Sequence, residues 1–411
     1  MRIQNLIRNQ RLLLQESAVE VILRGSQSVL LVLGTFFFSK NELGTYNLAA
    51  SIAALLGGML GGGWIFRISL DGIRKIDSRS ALIQIFLIYF LINSIMNAVL
   101  VFFETSNHWL MAISLNALLL NYALAAIHEI IWSHKSLKGD LLHYSTSRWR
   151  IILFTSLIYL LIFLVSRNIV FLALLQPLVN LIVILRFSST IFAILSGNSE
   201  KEALFRIFPT LNQWLATIKL GALGVLSMLT FVLDNILIAF KFDINYLPAY
   251  AVAFAVISIS IGVIGTPIQR IFSLKEPRVS DTSLFLKVSL LISLFCLCTT
   301  SAITVMAFLF ENAILKEALP ICIFLFPYAV GRILSMMLLV RVGQSGRLAF
   351  QLKSNLMYLL LVALGIMIMP SSFALIGVAA VVSTASLTSS FYLYRALSRF
   401  NSTILKLGVT N

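Results

Sequence analysis

The chain has 411 residues, of which 59% are hydrophobic and 11% are charged, and its formal net charge is +15 at pH 7. Soluble proteins are about 45–50% apolar and about 25% charged, so this composition excludes an ordinary soluble protein. With a mean hydropathy of +0.96, the chain is predicted to be an all-α membrane protein, since helices satisfy their own backbone hydrogen bonds in lipid.

Twelve apolar stretches approach the length of about 20 residues that a helix needs to cross the hydrocarbon core. They are 17–38, 45–66, 80–103, 109–131, 149–166, 169–187, 217–240, 250–271, 287–310, 318–340, 354–369 and 374–395. Before them, residues 1–16 are basic and amphipathic and lack a small-residue cleavage site. This segment is predicted to be an interfacial helix and not a cleaved signal peptide.

The basic residues divide unequally between the two sides of the membrane. With the N-terminus inside, 25 of the 31 Lys and Arg residues fall on the cytoplasmic side. The outer connections hold Lys40, Arg167, Lys241 and Lys316. The positive-inside rule therefore predicts a multi-pass protein of the inner (cytoplasmic) membrane with both termini cytoplasmic. The net charge is a topology signal, and no soluble basic face is long enough to predict a nucleic-acid partner.

Two stretches 204 residues apart resemble each other, "LGTYNLAASIA" at 43–53 and "LPAYAVAFAVI" at 247–257. At this offset Leu43, Tyr46 and Ala49 match identical residues, as do Gly58, Gly61, Ser69 and Leu70. Chance likeness of two apolar helices is the alternative. We predict two six-helix lobes related by a parallel pseudo-twofold repeat. The predicted divisions are 17–187 and 217–395 for the lobes, 188–216 for a cytoplasmic linker and 396–411 for a cytoplasmic tail.

The second span contains "GGMLGGG" at 57–63, with glycines four residues apart on one helix face. Small residues at this spacing favour close helix packing in lipid, and ligand contact is the alternative. Pro177, Pro267 and Pro327 also fall within spans, where they remove backbone hydrogen bonds and predict kinks.

A charge inside a span costs roughly 2.5–3.5 kcal/mol on insertion scales, and five ionisable residues within the predicted spans stand out. They are Glu20, Arg24, Glu129, Asp234 and Arg332. Glu20 and Arg24 stand four residues apart, so they either neutralise each other or hold Arg24 ready for an anionic group. Asp234 is either an ion-coupling carboxylate or a helix-to-helix hydrogen-bonding group. Glu129 either relays protons or lies in solvent near the inner interface.

Arg332 follows Pro327 in "FPYAVGRILSMM" and is expected to face the bundle interior. It either binds an anionic headgroup, whose two oxygens suit a guanidinium, or pairs with Glu129 or Asp234. Arg67 and Arg270 occupy equivalent places at the inner ends of the second and eighth spans. They are either positive-inside anchors or a cationic rim that gathers anionic headgroups.

The turn "LGTYNLA", its echo "LPAYAVA", the glycine-rich second span and the "LDNILIA" ending of the seventh span together resemble the Wzx-type O-antigen and polysaccharide repeat-unit flippases. These are relatives of the multidrug and toxin extrusion transporters and the lipid II flippases. The resemblance implies two six-helix bundles around a lumen that opens alternately to each side. It also implies a polyprenyl-diphosphate-linked oligosaccharide as substrate, with its lipid tail in the membrane lipids, and Asp234 matches an aspartate common at this place in the family.

Two other functions remain open. A multidrug/cation antiporter of the same superfamily would present acids and aromatics to its substrates, whereas this interior offers arginines. A non-transport protein of a glycan pathway, such as a polymerase, would be expected to have a large outer loop, which is missing here. The chain is not expected to be an enzyme or to bind a cofactor or metal, since it has no P-loop and no His or Cys set with ligand spacing. A proton or Na⁺ could be coupled to transport, and a glycan polymerase and chain-length regulator are candidate partners.

Overall fold

The computed structural model describes residues 2–62, 78–101, 108–137, 140–196, 211–261, 282–344 and 348–406. Thirteen α-helices occupy most of these ranges. They are α1 (Arg2–Phe37), α2 (Lys40–Gly57), α3 (Ser78–Val101), α4 (His108–Leu137), α5 (Leu141–Ser166), α6 (Val170–Arg186), α7 (Ser188–Ser196), α8 (Leu211–Lys241), α9 (Leu247–Ser260), α10 (Thr282–Leu309), α11 (Ala313–Gln344), α12 (Leu348–Ile368) and α13 (Ala374–Lys406).

The helices match the predicted spans. Among the described residues, nine are long and apolar enough to cross a membrane, and α6 with α7 forms a tenth span bent by 67°. Two shorter apolar helices, Val21–Phe37 and Ile244–Ser260, coincide with the first and eighth predicted spans. Each of the twelve predicted spans therefore corresponds to an apolar helix.

Helix α2 begins where the sequence supplies an N-terminal cap. Ser39 accepts a hydrogen bond from the Glu42 backbone N–H at 3.3 Å, and the Glu42 carboxylate accepts one from the Ser39 backbone N–H at 2.9 Å. This reciprocal capping box satisfies two backbone donors that the helix end would otherwise leave open. The cap separates α2 from α1 and fixes the start of the hairpin that the repeat identified.

The chain packs as two units, Met1–Ile236 and Leu237–Asn411. Within the first unit α4 packs against α2, α3 and α6, and α5 against α6. Within the second unit α11 packs against α9, α10 and α13, and α12 against α13. These are the same pairings, shifted by six spans, so the internal repeat extends from sequence to packing. The linker boundary predicted at 188–216 remains a prediction.

The matched residues of the repeat have the same environment in each unit. Leu43 and Tyr46 of α2 are buried, and so are Leu247 and Tyr250 of α9. The Tyr46 hydroxyl donates to the main-chain oxygen of Leu172 on α6 at 3.2 Å. Tyr46 therefore fastens the turn between the first two spans to the sixth span, which gives a physical reason for the tyrosine at this position.

Glycines of the second span permit the close helix packing that the sequence predicts. A methyl group on Gly57 would overlap the ring of Tyr122 on α4. One on Gly58, which begins a π-helical turn at Gly58–Gly62, would lie 2.9 Å from the Gly224 oxygen on α8. Real Cβ atoms essentially never approach other atoms within 3.0 Å. The packing of α2 against α4 therefore requires glycine at position 57, and its packing against α8 requires glycine at position 58.

A partly exposed ion pair links the end of α4 to the start of α5. Lys135 Nζ lies 2.9 Å from Asp140 Oδ2. The hydrogen bond from Lys135 holds the pKa of Asp140 below its usual value. Asp140 stands directly before α5, where a negative charge is also favourable at the helix N-terminus.

Candidate functional site

Arg332 lies on α11 in the second unit and is 8% exposed. Its Nε donates to the Tyr328 hydroxyl at 3.2 Å. The guanidinium carbon lies 5.6 Å from the ring centroid of Tyr328 and 5.2 Å from that of Tyr358 on α12. Both rings lie within cation–π range, so aromatic surfaces accommodate the charge within the membrane.

A seam of serines fixes the part of α11 that carries Arg332. Three serines of α13 donate to main-chain oxygens of α11: Ser383 to Phe324, Ser386 to Tyr328 and Ser390 to Gly331. A methyl group on Gly331 would overlap Ser386, so the two helices are in close contact at this turn. Small residues and hydrogen bonds of this kind hold helices together in lipid, where the hydrophobic effect does not. The seam thereby sets the position of the Arg332 backbone.

Arg24 lies on α1 in the first unit and is half-buried. It is close enough to Tyr122 of α4 to influence that hydroxyl electrostatically. Glu20 is one turn earlier on α1, but its side chain lies outside the described part of the structure. The predicted Glu20–Arg24 pair therefore remains a prediction.

The other predicted residues differ in how far the structure describes them. Arg67 and Arg270 lie outside the described residues, as does Pro267. Asp234 is 3% exposed on α8, and its Oδ1 accepts from the Asn235 backbone N–H at 3.0 Å. Glu129 is half-buried on α4 and acts electrostatically on Tyr144 of α5.

A hydrogen-bonded chain of neutral side chains crosses the first unit. Asn180 donates to Asn121 at 2.8 Å, Asn121 to Gln176 at 2.9 Å, and Gln176 to Gln27 at 2.5 Å. These four amides join α1, α4 and α6. Because an unbonded amide in hydrocarbon is costly, the chain holds the three spans in one arrangement.

His128 connects this chain of hydrogen bonds to α5. Its Nε2 lies 3.2 Å from the Asn180 main-chain oxygen, and its Nδ1 lies 3.0 Å from the Tyr144 hydroxyl. A carbonyl can only accept, so Nε2 carries the proton and Nδ1 accepts from Tyr144. The histidine thus links α4 to both α5 and α6.

Sequence reasoning missed the amides, His128 as a network member, and Arg148. Arg148 was counted with the inner loops but lies on α5, is 8% exposed and acts electrostatically on His128. His128 stands 204 residues before Arg332, so the repeat places a buried basic side chain at one position in both fourth helices. Two signals in the sequence would have identified most of these residues. One is the set of neutral polar residues inside the predicted spans, and the other is the 204-residue offset of the repeat.

The buried charges are mainly cationic. In the part of the chain that the structure describes, the buried side chains ordinarily charged at neutral pH are Arg148, Asp234 and Arg332. Because a charge in the membrane interior usually marks a pathway or binding site, each of these residues is a candidate site residue within its own unit. Two arginines against one aspartate favour an anionic ligand over a cationic one.

By sequence alone, no family model and no curated protein match the chain. Solved structures do match. An inward-facing multidrug resistance MATE family transporter of the MOP superfamily is 15% identical, with a TM-score of 0.60 over 98% of this chain and 96% of that one. A MOP superfamily transporter from Pyrococcus furiosus is 13% identical, with a TM-score of 0.60 over 97% and 96%.

The lipid II flippase MurJ in an inward closed conformation is 14% identical, with a TM-score of 0.60 over 92% of this chain and 87% of that one. Identities this low establish the fold and not the substrate. The chain thus has the fold of the MOP superfamily transporters. The predicted fold class, an all-α membrane protein with two lobes of six transmembrane helices, is confirmed.

Proposed function

We propose that this protein is a flippase for a polyprenyl-diphosphate-linked oligosaccharide, an O-antigen or capsule repeat unit of the Wzx type. It would move the headgroup from the inner to the outer leaflet of the cytoplasmic membrane by alternating access, with both termini cytoplasmic. The observation that carries this proposal is the buried guanidinium of Arg332 between Tyr328 and Tyr358. A fold shared with a lipid II flippase makes a lipid-linked substrate physically reasonable.

The chemistry of Arg332 suits a diphosphate. A guanidinium presents a planar set of donors that can engage two oxygens at once. Arg24 would offer a second cation from the first span. Arg67 and Arg270 would form a cationic rim at the cytoplasmic mouth, where the substrate enters.

The membrane potential can drive this export. A diphosphate carries about two negative charges, and moving them outwards releases roughly 2.3 kcal/mol per charge per 100 mV, or about 4–5 kcal/mol in total. Asp234, Glu129 and Glu20 are the candidate ion-coupling carboxylates if a proton or Na⁺ gradient contributes. An Asp234→Asn variant that transports normally, with unchanged pH and Na⁺ dependence, would exclude Asp234 from coupling.

The main alternative is a multidrug/cation antiporter, because MATE transporters share the fold. The cationic character of the described interior favours the flippase. The P. furiosus relative is described as having a binding pocket of reverse polarity that suggests a different function. We apply the same reasoning to this chain, in which buried arginine would repel a cationic drug. A non-transport glycan-pathway role remains the more distant alternative, and a polymerase and chain-length regulator remain candidate partners.

The test is made in the native host. The gene is deleted, polyprenyl lipids are extracted, and the position of any diphosphate-linked oligosaccharide is determined with a membrane-impermeant reagent. The proposal predicts accumulation on the cytoplasmic leaflet and loss of surface glycan. The wild-type chain and Arg395→Gln, which alters an exposed arginine on α13, should restore transport. Arg332→Gln should not. Unchanged glycan lipids together with new sensitivity to cationic drugs would replace the flippase with the antiporter.

A further inference from the structure

Helices α2 and α8 of the first unit share a polar contact that the diphosphate chemistry does not use. Asn235 Nδ2 on α8 donates to the Ser51 hydroxyl on α2 at 3.1 Å. Ser51 in turn donates to the main-chain oxygen of Asn47 at 3.0 Å. Asn47 is 6% exposed and Ser51 is 2% exposed, whereas Asn235 is only half-buried. The contact therefore lies between two buried residues of α2 and a partly exposed residue of α8.

Two amide atoms beside this contact are left open. Within the described part of the chain, Asn47 Nδ2 and Asn235 Oδ1 are buried and have no hydrogen-bond partner. One is a donor and the other is an acceptor. Leaving such an atom unbonded costs about 1–3 kcal/mol, and native structures rarely tolerate it. The pair therefore indicates a ligand group that accepts from one asparagine and donates to the other.

The placement of the atoms limits what that group can be. Asn47 and Ser51 are one turn apart on the same face of α2, and the Ser51 hydroxyl accepts from Asn235. Ser51 therefore joins the two residues that carry the open amide atoms. Among common ligand groups a hydroxyl is both donor and acceptor. A phosphate oxygen without a proton could not donate to Asn235 Oδ1, and an ammonium could not accept from Asn47 Nδ2.

We propose that Asn47, Ser51 and Asn235 form a subsite for a hydroxyl group of the sugar headgroup, separate from the cationic residues that engage the diphosphate. This inference rests on the proposed function, because it assigns part of the same substrate to α2 and α8. The subsite would recognise a neutral sugar by a matched donor and acceptor. A water molecule offers the same chemistry, and the experiment separates the two.

Two probes are compared on the purified full-length chain in nanodiscs: a polyprenyl diphosphate that carries one glucose and the same lipid without sugar. Asn47→Leu should weaken binding of the glucose-bearing lipid about five- to tenfold, the effect of one lost hydrogen bond and one open acceptor. It should leave the affinity for the sugar-free lipid unchanged. Ser51→Ala should act in the same direction, and Arg332→Gln should weaken binding of both lipids.

Asn116→Leu is the matched control, because Asn116 is a half-buried amide whose partner Asn97 bonds it reciprocally at 3.0 and 3.1 Å. It should leave the ratio of the two affinities unchanged. Equal affinities of wild type and Asn47→Leu for the glucose-bearing lipid would assign the open atoms to water and overturn the subsite. Equal losses for both lipids would overturn it too. If the wild type binds neither lipid, the proposed function itself fails.

Discussion

Lys241 lies at the end of α8, on the side that the sequence predicts to be the outer one, and its hydrogen bonds predict the effect of replacing it. Its Nζ donates to the main-chain oxygens of Ile366, Met367 and Met369 at 2.6, 2.8 and 2.7 Å. These oxygens lie at or just after the end of α12, where the last carbonyls of a helix lack the usual partner in a following turn. The Ile366 oxygen also accepts from the Met369 N–H at 3.3 Å. The ammonium also opposes the negative end of the helix dipole.

The magnitude follows from these contacts. A hydrogen bond to a charged group contributes about 1.5–3 kcal/mol, but three bonds from one ammonium share its charge. Ordering the lysine side chain costs about 1.5–2 kcal/mol of rotamer entropy. Lys241→Met should therefore lower the free energy of unfolding by about 2–3 kcal/mol, since it keeps the stem and leaves the carbonyls open.

The assay is forced unfolding of single molecules in bicelles, with exchange of the amides within residues 369–373, other than Pro370, as a local readout. Lys316→Met is the matched control, because Lys316 is an exposed lysine on the same predicted side. It should change the unfolding free energy by less than about 0.5 kcal/mol. If Lys241→Met proves no less stable than Lys316→Met and exchange at 369–373 does not rise, the reasoning from carbonyl capping is refuted.

Three further predictions concern stability. Gly57→Ala should destabilise the protein by about 1–3 kcal/mol because its methyl group overlaps the Tyr122 ring. Gly25→Ala is the control and should not destabilise it, since its methyl group meets nothing within 4 Å. Equal melting temperatures of the two variants in detergent would contradict this prediction. Gln176→Leu should cost about 1–2 kcal/mol by breaking the amide chain in two places, which chemical unfolding in micelles measures. The pKa of Asp140 is lowered in the folded protein. Its contribution to the free energy of unfolding is at most about 0.5 kcal/mol, because the pair is partly exposed. This contribution is present above the unfolded pKa of about 3.9 and is lost as the pH falls through the folded pKa. Asp140→Asn should therefore flatten the loss of stability between pH 5 and 3, and unchanged slopes would contradict the pair.

Much of the fold was predictable because lipid permits few structures. A helix of about 20 apolar residues is the simple way to cross the membrane, and all twelve predicted spans coincide with helices. The repeat around Tyr46 and Tyr250 was predicted because it depends on local sequence. The cap of α2 was not predicted, although Ser39 followed by Glu42 three residues later is the sequence pattern of a capping box. Packing at Gly57 followed from the spacing of small residues.

The site was less predictable because its parts come from different helices. Charge in a span identified Arg332 and Asp234, but it gave no sign of the tyrosine rings or the serine seam that position Arg332. The four amides were not predicted because each is neutral and changes the summed hydropathy of its span only slightly. Arg148 was assigned to a loop because α5 extends eight residues beyond its apolar run, from 149 back to 141.

The central claim is export of a lipid-linked sugar, and reconstitution tests it most directly. A polyprenyl diphosphate bearing a fluorescent glucose is placed in both leaflets of proteoliposomes, and dithionite quenches only the outer leaflet. The account predicts that the wild type allows nearly complete quenching, and that quenching is faster under a potential that drives anions outwards. Arg332→Gln should leave about half of the signal. Protein-free vesicles should do the same, because the inner of their two equal leaflets is protected from dithionite. If half of the signal survives with the wild type as well, the protein does not flip this class of lipid.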